Sequence, residues 1–373
     1  MLKNKKQLLK FALIILAIIA VISISTLYIV SKEFRDFIDK YILAKEIVQE
    51  NAVTIAFEGS GNNYVYAFDS HIVILSGNTL NMYNSSGKQT QSLEMTISKP
   101  IFVSDGKYLV VAENGGKKLY LVSGNNILWE KEVEGSISKV NVNKNGYVSV
   151  VLAGTSYKVT ITTYNGEGKE LFSTYLGTTY SVDIDLSDDN KYLAIAEVNS
   201  AGTTIKSGIK IVSLEKTEFI FDKQDMNNEL ITNVNYQDNL VLMNENGVSC
   251  IKNEEKQEII QFGEDDIFAD INLNNHILKV SKKHLNSFNA ETTVEIINTQ
   301  TKGASIYTIE GVPKSVYTYE NIIAINMGTE IHFIGTNGWL IKKYVSSQEI
   351  KDIVLGSNIA GIVGKNKVEI IGL

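Results

Sequence analysis

Four histidines, one cysteine and two groups of carboxylates are the residues of this 373-residue chain best equipped for chemistry. His71, His276, His284 and His332 are scattered. None lies in an H-E-x-x-H pattern, which would set two imidazoles on one helix face around zinc. His71 and His276 stand in turns that lead into apolar strands, and His332 lies in an apolar run where packing explains it better than proton transfer. Cys250 is alone, so it forms no intramolecular disulfide and no cysteine zinc site, and it reads as a small buried apolar residue. No other cysteine offers itself for lipid attachment.

The carboxylate groups are Asp183, Asp185, Asp188 and Asp189, and then Glu264, Asp265, Asp266 and Asp270. Carboxylates gathered at turns suit calcium, which takes about six to eight oxygens. A facing pair suits glycoside chemistry. Asp188 and Asp189 coincide with a turn that aspartate itself favours. Gly59-Ser-Gly61 and Gly166-Glu-Gly168 begin a G-x-G, but Tyr64 and Leu171 stand where a third glycine belongs, and neither segment joins a strand to a helix. There is no phosphate-binding lysine loop and no G-x-S-x-G elbow. The sequence therefore assigns no catalytic, cofactor-binding or metal residue and implies no cofactor, and the chain reads as a non-enzyme.

Composition narrows the partners. Hydrophobic residues make up 44% and charged residues 21%, enough apolar material for a large core. The formal net charge of −7 argues against nucleic acid, whose phosphates want a basic face.

Three organisational regions follow the ten N-terminal residues. Residues 11–30 read FALIILAIIAVISISTLYIV, with no charge. Roughly 20 such residues span the hydrocarbon core as a helix. Lys3, Lys5, Lys6 and Lys10 precede the run, which predicts a cytoplasmic residue 1–10 segment and an extracytoplasmic remainder at the cell membrane. Lys32, Arg35 and Lys40 on the far side weaken that bias. A cleaved signal peptide ending near Ser23 or Ser25 is the competing reading, and the apolar residues through Val30 favour a retained anchor. In residues 31–51, Phe34, Phe37, Ile38, Tyr41 and Ile42 have the spacing of an amphipathic helix, read as a stalk.

Residues 52–373 change period. Short runs rich in Val, Ile, Tyr and Thr alternate with Gly, Asn, Asp and Ser clusters, as in antiparallel sheets. An Asp, Asn or Gly turn leads repeatedly into a buried aliphatic strand. Taking Ile72, Leu109, Val148, Leu193, Leu240, Ile277, Ile322 and Ile359 as markers, the steps are 37, 39, 45, 47, 37, 45 and 37 residues. Propeller repeats run about 40–50. Second hairpins such as the one around Asn165-Gly-Glu-Gly168, and outer strands such as Ile127-Leu-Trp-Glu-Lys-Glu-Val, complete four strands per unit. The last unit lacks a fourth strand, and the strand at residues 52–57 lacks a unit, so the two are expected to pair and close the ring. The fold class is all-β: a propeller of eight four-stranded blades, with seven as the alternative count if the first repeat is incomplete.

Ser104-Asp-Gly-Lys-Tyr-Leu-Val-Val and Ser187-Asp-Asp-Asn-Lys-Tyr-Leu-Ala resemble the turn-to-strand motif of WD40-like and TolB-like propellers. Leu119-Tyr-Leu-Val-Ser-Gly-Asn-Asn-Ile-Leu-Trp-Glu-Lys resembles a quinoprotein-type repeat. As a whole the chain is similar to an uncharacterised clostridial family of single-pass, membrane-anchored β-propeller proteins. That resemblance implies architecture and no enzymology. The Trp-Asp and Gly-His pairs of WD40 repeats are missing, and with only Trp129 and Trp339 the tryptophan docking of a full quinoprotein ring is not expected.

The function expected is a non-catalytic binding or scaffold module of the bacterial cell envelope, its partner an envelope protein or wall polymer. Two alternatives belong to other classes: a carboxylate-based glycan hydrolase or lyase in the central channel, and a small-ligand sensor working through a membrane partner.

Overall fold

The computed structural model describes residues 23–28, 48–49, 52–57, 62–226, 229–252, 255–284 and 290–373. Residues 23–28 are helical, and the rest of the expected span at 11–30 lies outside the described residues. Among the described residues no helix is long and apolar enough to cross a membrane. Of the expected helical stalk at 31–51, only Val48–Gln49 is described, and it is a short strand rather than helix.

Eight antiparallel sheets form a ring. From first to last strand, blade 1 runs over residues 63–94, blade 2 over 100–132, blade 3 over 136–176 and blade 4 over 180–223. Blades 5, 6 and 7 run over 231–261, 266–310 and 315–345, and blade 8 begins at 352. The first strands of successive blades contact one another all the way round, so they line the centre. The count is eight and not seven, because blade 1 is complete with Asn63–Phe68, His71–Ser76, Thr79–Tyr83 and Gln89–Glu94.

The ring closes as the unpaired strands require. Val53–Ala56 pairs antiparallel with Lys367–Gly372, in the register Val53↔Ile370 to Ala56↔Lys367, and becomes the fourth strand of blade 8. Val48–Gln49 adds a parallel edge to the outer strand of blade 7, with Val48 opposite Lys343. The chain therefore meets the ring at the outer rim of blades 7 and 8.

Alternation explains why the inner strands look uniformly apolar. Successive side chains point to opposite faces of a strand. In His71–Ser76, Ile72 and Ile74 pack towards blade 8, while Val73 and Leu75 pack towards blade 2. Each of the eight buried clusters is shared by two neighbouring blades, and the cluster of Ala67, Ile72, Ile74, Ile359, Val368 and Ile370 joins blade 8 to blade 1. A blade cannot bury both its faces alone, so ring closure is itself a packing requirement.

The two faces of the disc differ. One carries the turns between first and second strands and between third and fourth strands. Seven of the eight first turns hold a residue with positive φ: Asp69, Gly106, Gly146, Asn190, Asn275, Glu320 and Asn358. The aspartates, asparagines and glycines of the repeat tolerate that left-handed backbone, and Glu320 is the exception. The other, connector face carries the links between blades and the turns between second and third strands.

Candidate functional site

The channel is the first place to look for chemistry, because the sequence places carboxylates on its strands. Tyr180–Leu186 directs Asp183 and Asp185 to one side. Both are fastened sideways to their neighbours. Asp183 accepts hydrogen bonds from Lys139 Nζ in blade 3 at 2.7 Å and from the Val234 amide in blade 5 at 3.0 Å. Asp185 accepts from Asn141 Nδ2 at 2.7 Å and from the Tyr236 amide. Asn143 continues the row, donating to the Ser187 carbonyl at 2.9 Å and to Asn190 Oδ1 at 2.8 Å. Gln237 donates onward to blade 6, at the carbonyls of Ile271 and Leu273. Polar side chains at every second position thus stitch the inner strands from blade 3 to blade 6.

These carboxylates sit in a poorly hydrated wall. Burial pushes the Asp185 pKa up to about 7, against the hydrogen bonds from Tyr236 and Asn141 that favour its charge. Asp105, at the end of the blade 2 inner strand, rises to about 6, through burial first and then the negative charge of Asp188. On the far arc of the channel the lining turns aromatic: Tyr66 stacks on Phe102 with centroids 5.3 Å apart, and the Tyr66 hydroxyl meets Ser104 Oγ at 3.1 Å.

The residues singled out in the sequence do not assemble into one centre. Asp188 pairs with Lys144, and Asp189 caps its own turn through Ser187 Oγ at 2.7 Å and the Lys191 amide at 3.1 Å. In the second group, Asp266 accepts from the Gly263 amide at 2.7 Å, while Asp270 accepts from the Asn272 amide and from Thr318. Among the described residues no three His, Cys, Asp or Glu side chains converge as metal ligands would. His276 is held in its turn by the Asn274 carbonyl. His332 is buried, with Nδ1 against the Tyr307 hydroxyl and Nε2 against Glu330 Oε1, both at 2.5 Å, in a chain that bridges blades 6 and 7. Cys250 is half-buried in blade 5 rather than buried. Gly59 and Gly61 lie outside the described residues. Gly166 and Gly168 form the outer turn of blade 3, where Trp129 of blade 2 docks, its Nε1 donating to the Gly166 carbonyl at 3.1 Å. A tryptophan thus docks at this one blade junction, which leaves the expected lack of a full ring of tryptophan docking unchanged.

The connector face is recessed between blades 3 and 4. There a cavity of about 400 Å³ opens among Tyr175 near the end of the blade 3 outer strand, Thr178 of the link, Glu197 and Asn199 at the end of one strand, Lys206 and Lys210 at the start of the next, and Gln224 and Asp225 beyond. That volume is within the usual range of ligand pockets, about 300–1,000 Å³. Its floor is fixed. Lys210 Nζ lies 2.9 Å from Glu197 Oε1 and 2.6 Å from Asp222 Oδ1, and Glu197 Oε2 accepts from Thr179 Oγ1 at 2.7 Å. Glu197 and Lys210 are 2% and 7% exposed. Burial opposes the charge on Lys210, yet the bonds to Asp222 and Glu197 hold its pKa above the ordinary lysine value.

Part of this floor is a general device. In blade 2, Glu113 at the matching position receives the Ser98 amide and hydroxyl of its connector, and in blade 5 Glu245 receives the Leu230 amide. Blade 4 adds the buried lysine. Its rim is aromatic: Tyr175 is 53% exposed and is braced by Tyr157, with ring centroids 4.6 Å apart at 34°. Beside them Lys158 lies over the Tyr180 ring at 4.7 Å and donates to the Thr178 carbonyl at 2.9 Å. Nothing in the sequence marked these residues, because they come from four separated stretches and each reads alone as ordinary strand or loop.

Solved propellers share the architecture. The C-terminal WD40 domain of Sif2 aligns with a TM-score of 0.59 at 11% identity, over 87% of this chain and 99% of that one. BamB from Moraxella catarrhalis aligns with a TM-score of 0.51 at 10% identity, again over 87% and 99%. At such identities the likeness concerns the fold alone. No curated protein matches the sequence. A family model does, over residues 45–373, and the chain belongs to that family, the family of unknown function DUF5711.

Proposed function

We propose that the protein is a non-catalytic binding or scaffold module of the bacterial cell envelope, held at the membrane by residues 11–30 with the propeller outside the cytoplasm. The observation that carries the binding reading is the contrast between channel and connector face. Asp183 and Asp185, the carboxylates a channel hydrolase would use, are engaged by donors from both adjacent blades. The connector face instead presents an open pocket with exposed tyrosines on a rigid frame, and loops on rigid frames are where binding residues concentrate. The anchor and its orientation rest on the uncharged run and on the lysines before it.

Cross-linking of the full chain in intact cells, followed by affinity capture, is expected to recover a specific envelope component. Recovery of abundant bystanders alone defeats the reading. Alkaline extraction of membranes and protease treatment of intact cells test the anchor: the chain should stay in the pellet and its propeller should be accessible from outside.

A further inference from the structure

We propose that the pocket between blades 3 and 4 binds a saccharide, taking a neutral, hydroxyl-rich ring against Tyr175. This rests on the binding-module reading and assigns its ligand chemistry.

Charge balance supplies the first reason. The charged residues lining the cavity are Glu197, Asp225, Lys206 and Lys210, two of each sign. They are already paired, Lys210 with both Glu197 at 2.9 Å and Asp222 at 2.6 Å, and Lys206 with Asp225 at 2.8 Å. A cationic ligand finds every one of these carboxylates already salt-bridged to Lys206 or Lys210. A phosphate finds two carboxylates in the wall and no spare lysine. A neutral ligand leaves both ion pairs intact, and that matters most for Glu197 and Lys210, because breaking a buried pair strands a charge.

Shape supplies the second reason. An exposed phenol, Tyr175, lines the cavity beside Leu176 and a set of polar side chains. The exposed ring of Tyr175, backed by Tyr157, gives the C–H face of a pyranose a planar apolar surface. Thr178, Asn199 and Gln224 offer directional donors and acceptors that suit hydroxyls at the ring edge. An apolar ligand would leave these groups without partners, and desolvating them unpaired is unfavourable. The floor is pre-organised by the Thr179–Glu197–Lys210–Asp222 chain, so little ordering is needed on binding. The cavity opens to solvent on the connector face, where a polymer can lie across it.

The test is calorimetric titration of the purified full chain with two neutral tetrasaccharides, cellotetraose and chitotetraose, and with two charged probes, choline and glycerol phosphate oligomers. Saturable binding of a neutral tetrasaccharide is expected. Tyr175→Ala should weaken it by about tenfold or more, and Tyr175→Phe, which keeps the ring, by no more than about threefold. Tyr175 is exposed, so thermal melting should show both variants folded. Binding of neither tetrasaccharide overturns the proposal, as does binding of the charged probes alone or unchanged affinity in Tyr175→Ala. If saccharides fail while cross-linking still recovers an envelope component, this inference falls and the binding-module reading stands. If saccharides bind and no component is recovered, the ligand assignment stands and the cell-envelope part of the reading falls.

Discussion

Glu320 is a single residue in the wrong conformation for its type. Its φ of 49° is the left-handed backbone that the other turns give to aspartate, asparagine or glycine. For an ordinary L-residue this costs roughly 1–2 kcal/mol. Its carboxylate also adds to the negative charge around Asp105. Glu320→Asn should relieve both, raising stability by about 1 kcal/mol and lowering the Asp105 pKa. Chemical denaturation measures the first, and an unchanged or lower midpoint would contradict it. The sequence motif led to Asn321 at this turn, one residue late, because asparagine is the usual bearer of positive φ and glutamate is not.

Asp185 and Asp105 set a pH dependence at the same scale. Their folded values, about 7 and about 6, lie above the ordinary aspartate value near 3.9. The folded state therefore binds more protons than the unfolded state across that interval, and stability falls as pH rises through it. Asp189, Glu330 and Glu369 are shifted downward, so their contribution is lost on the acid side as pH falls through their folded values. The melting temperature should peak at about pH 4, near the unfolded carboxylate values, and decline through about pH 7, with a shallower decline in Asp185→Asn. A melting temperature that climbs from pH 5 to 7.5 would refute the assignment.

At the scale of the element, the outer turns act as docking cups. A left-handed glycine leaves space that an outer-strand side chain of the preceding blade fills: Trp129 over Gly168, and Val53 over Gly87. A Cβ on Gly168 would meet Trp129 at 3.0 Å, whereas a Cβ on Gly77, also at positive φ, meets nothing within 4 Å. Gly77→Ala should therefore cost the conformational penalty alone, about 1 kcal/mol, and Gly168→Ala about 2 kcal/mol. Equal midpoints in denaturant would mean that docking contributes nothing.

Elements also show what sequence reading reaches. The turn-and-strand repeat was legible because each turn needs special backbone and each following strand is buried on both faces. Asp183, Asp185, Asp188 and Asp189 looked like one cluster because they are close in sequence, but alternation sends the first two into the channel wall and leaves the others in a turn. Trp129 was undervalued because its partner, a glycine turn 37 residues on, is chemically silent. The pocket was invisible because blades 3 and 4 bring its wall together only in three dimensions.

At the scale of the whole molecule, closure decides stability. Ile55 packs with Val368 and Ile370 in the cluster that joins blade 8 to blade 1. A chain starting at residue 48 should melt like the full chain, while one starting at residue 58 loses Val53–Ala56 and leaves an open strand edge. The shorter chain should melt far lower and aggregate, as scanning calorimetry and size-exclusion chromatography would show. Identical behaviour of the two would mean that the ring does not need its closing strand.

That closing strand also sets a line of force. The chain reaches the disc at blades 7 and 8, and the tyrosine-rimmed cavity lies half a turn away, between blades 3 and 4. Traction on the N-terminal segment would meet the short Val48–Gln49 pairing on blade 7 first, and then the Val53–Ala56 strand, whose hydrogen bonds to Lys367–Gly372 close the ring. Under the proposed function, a polymer held at the opposite rim would put the ring under tension across its diameter, with shared cores along both arcs between the two points.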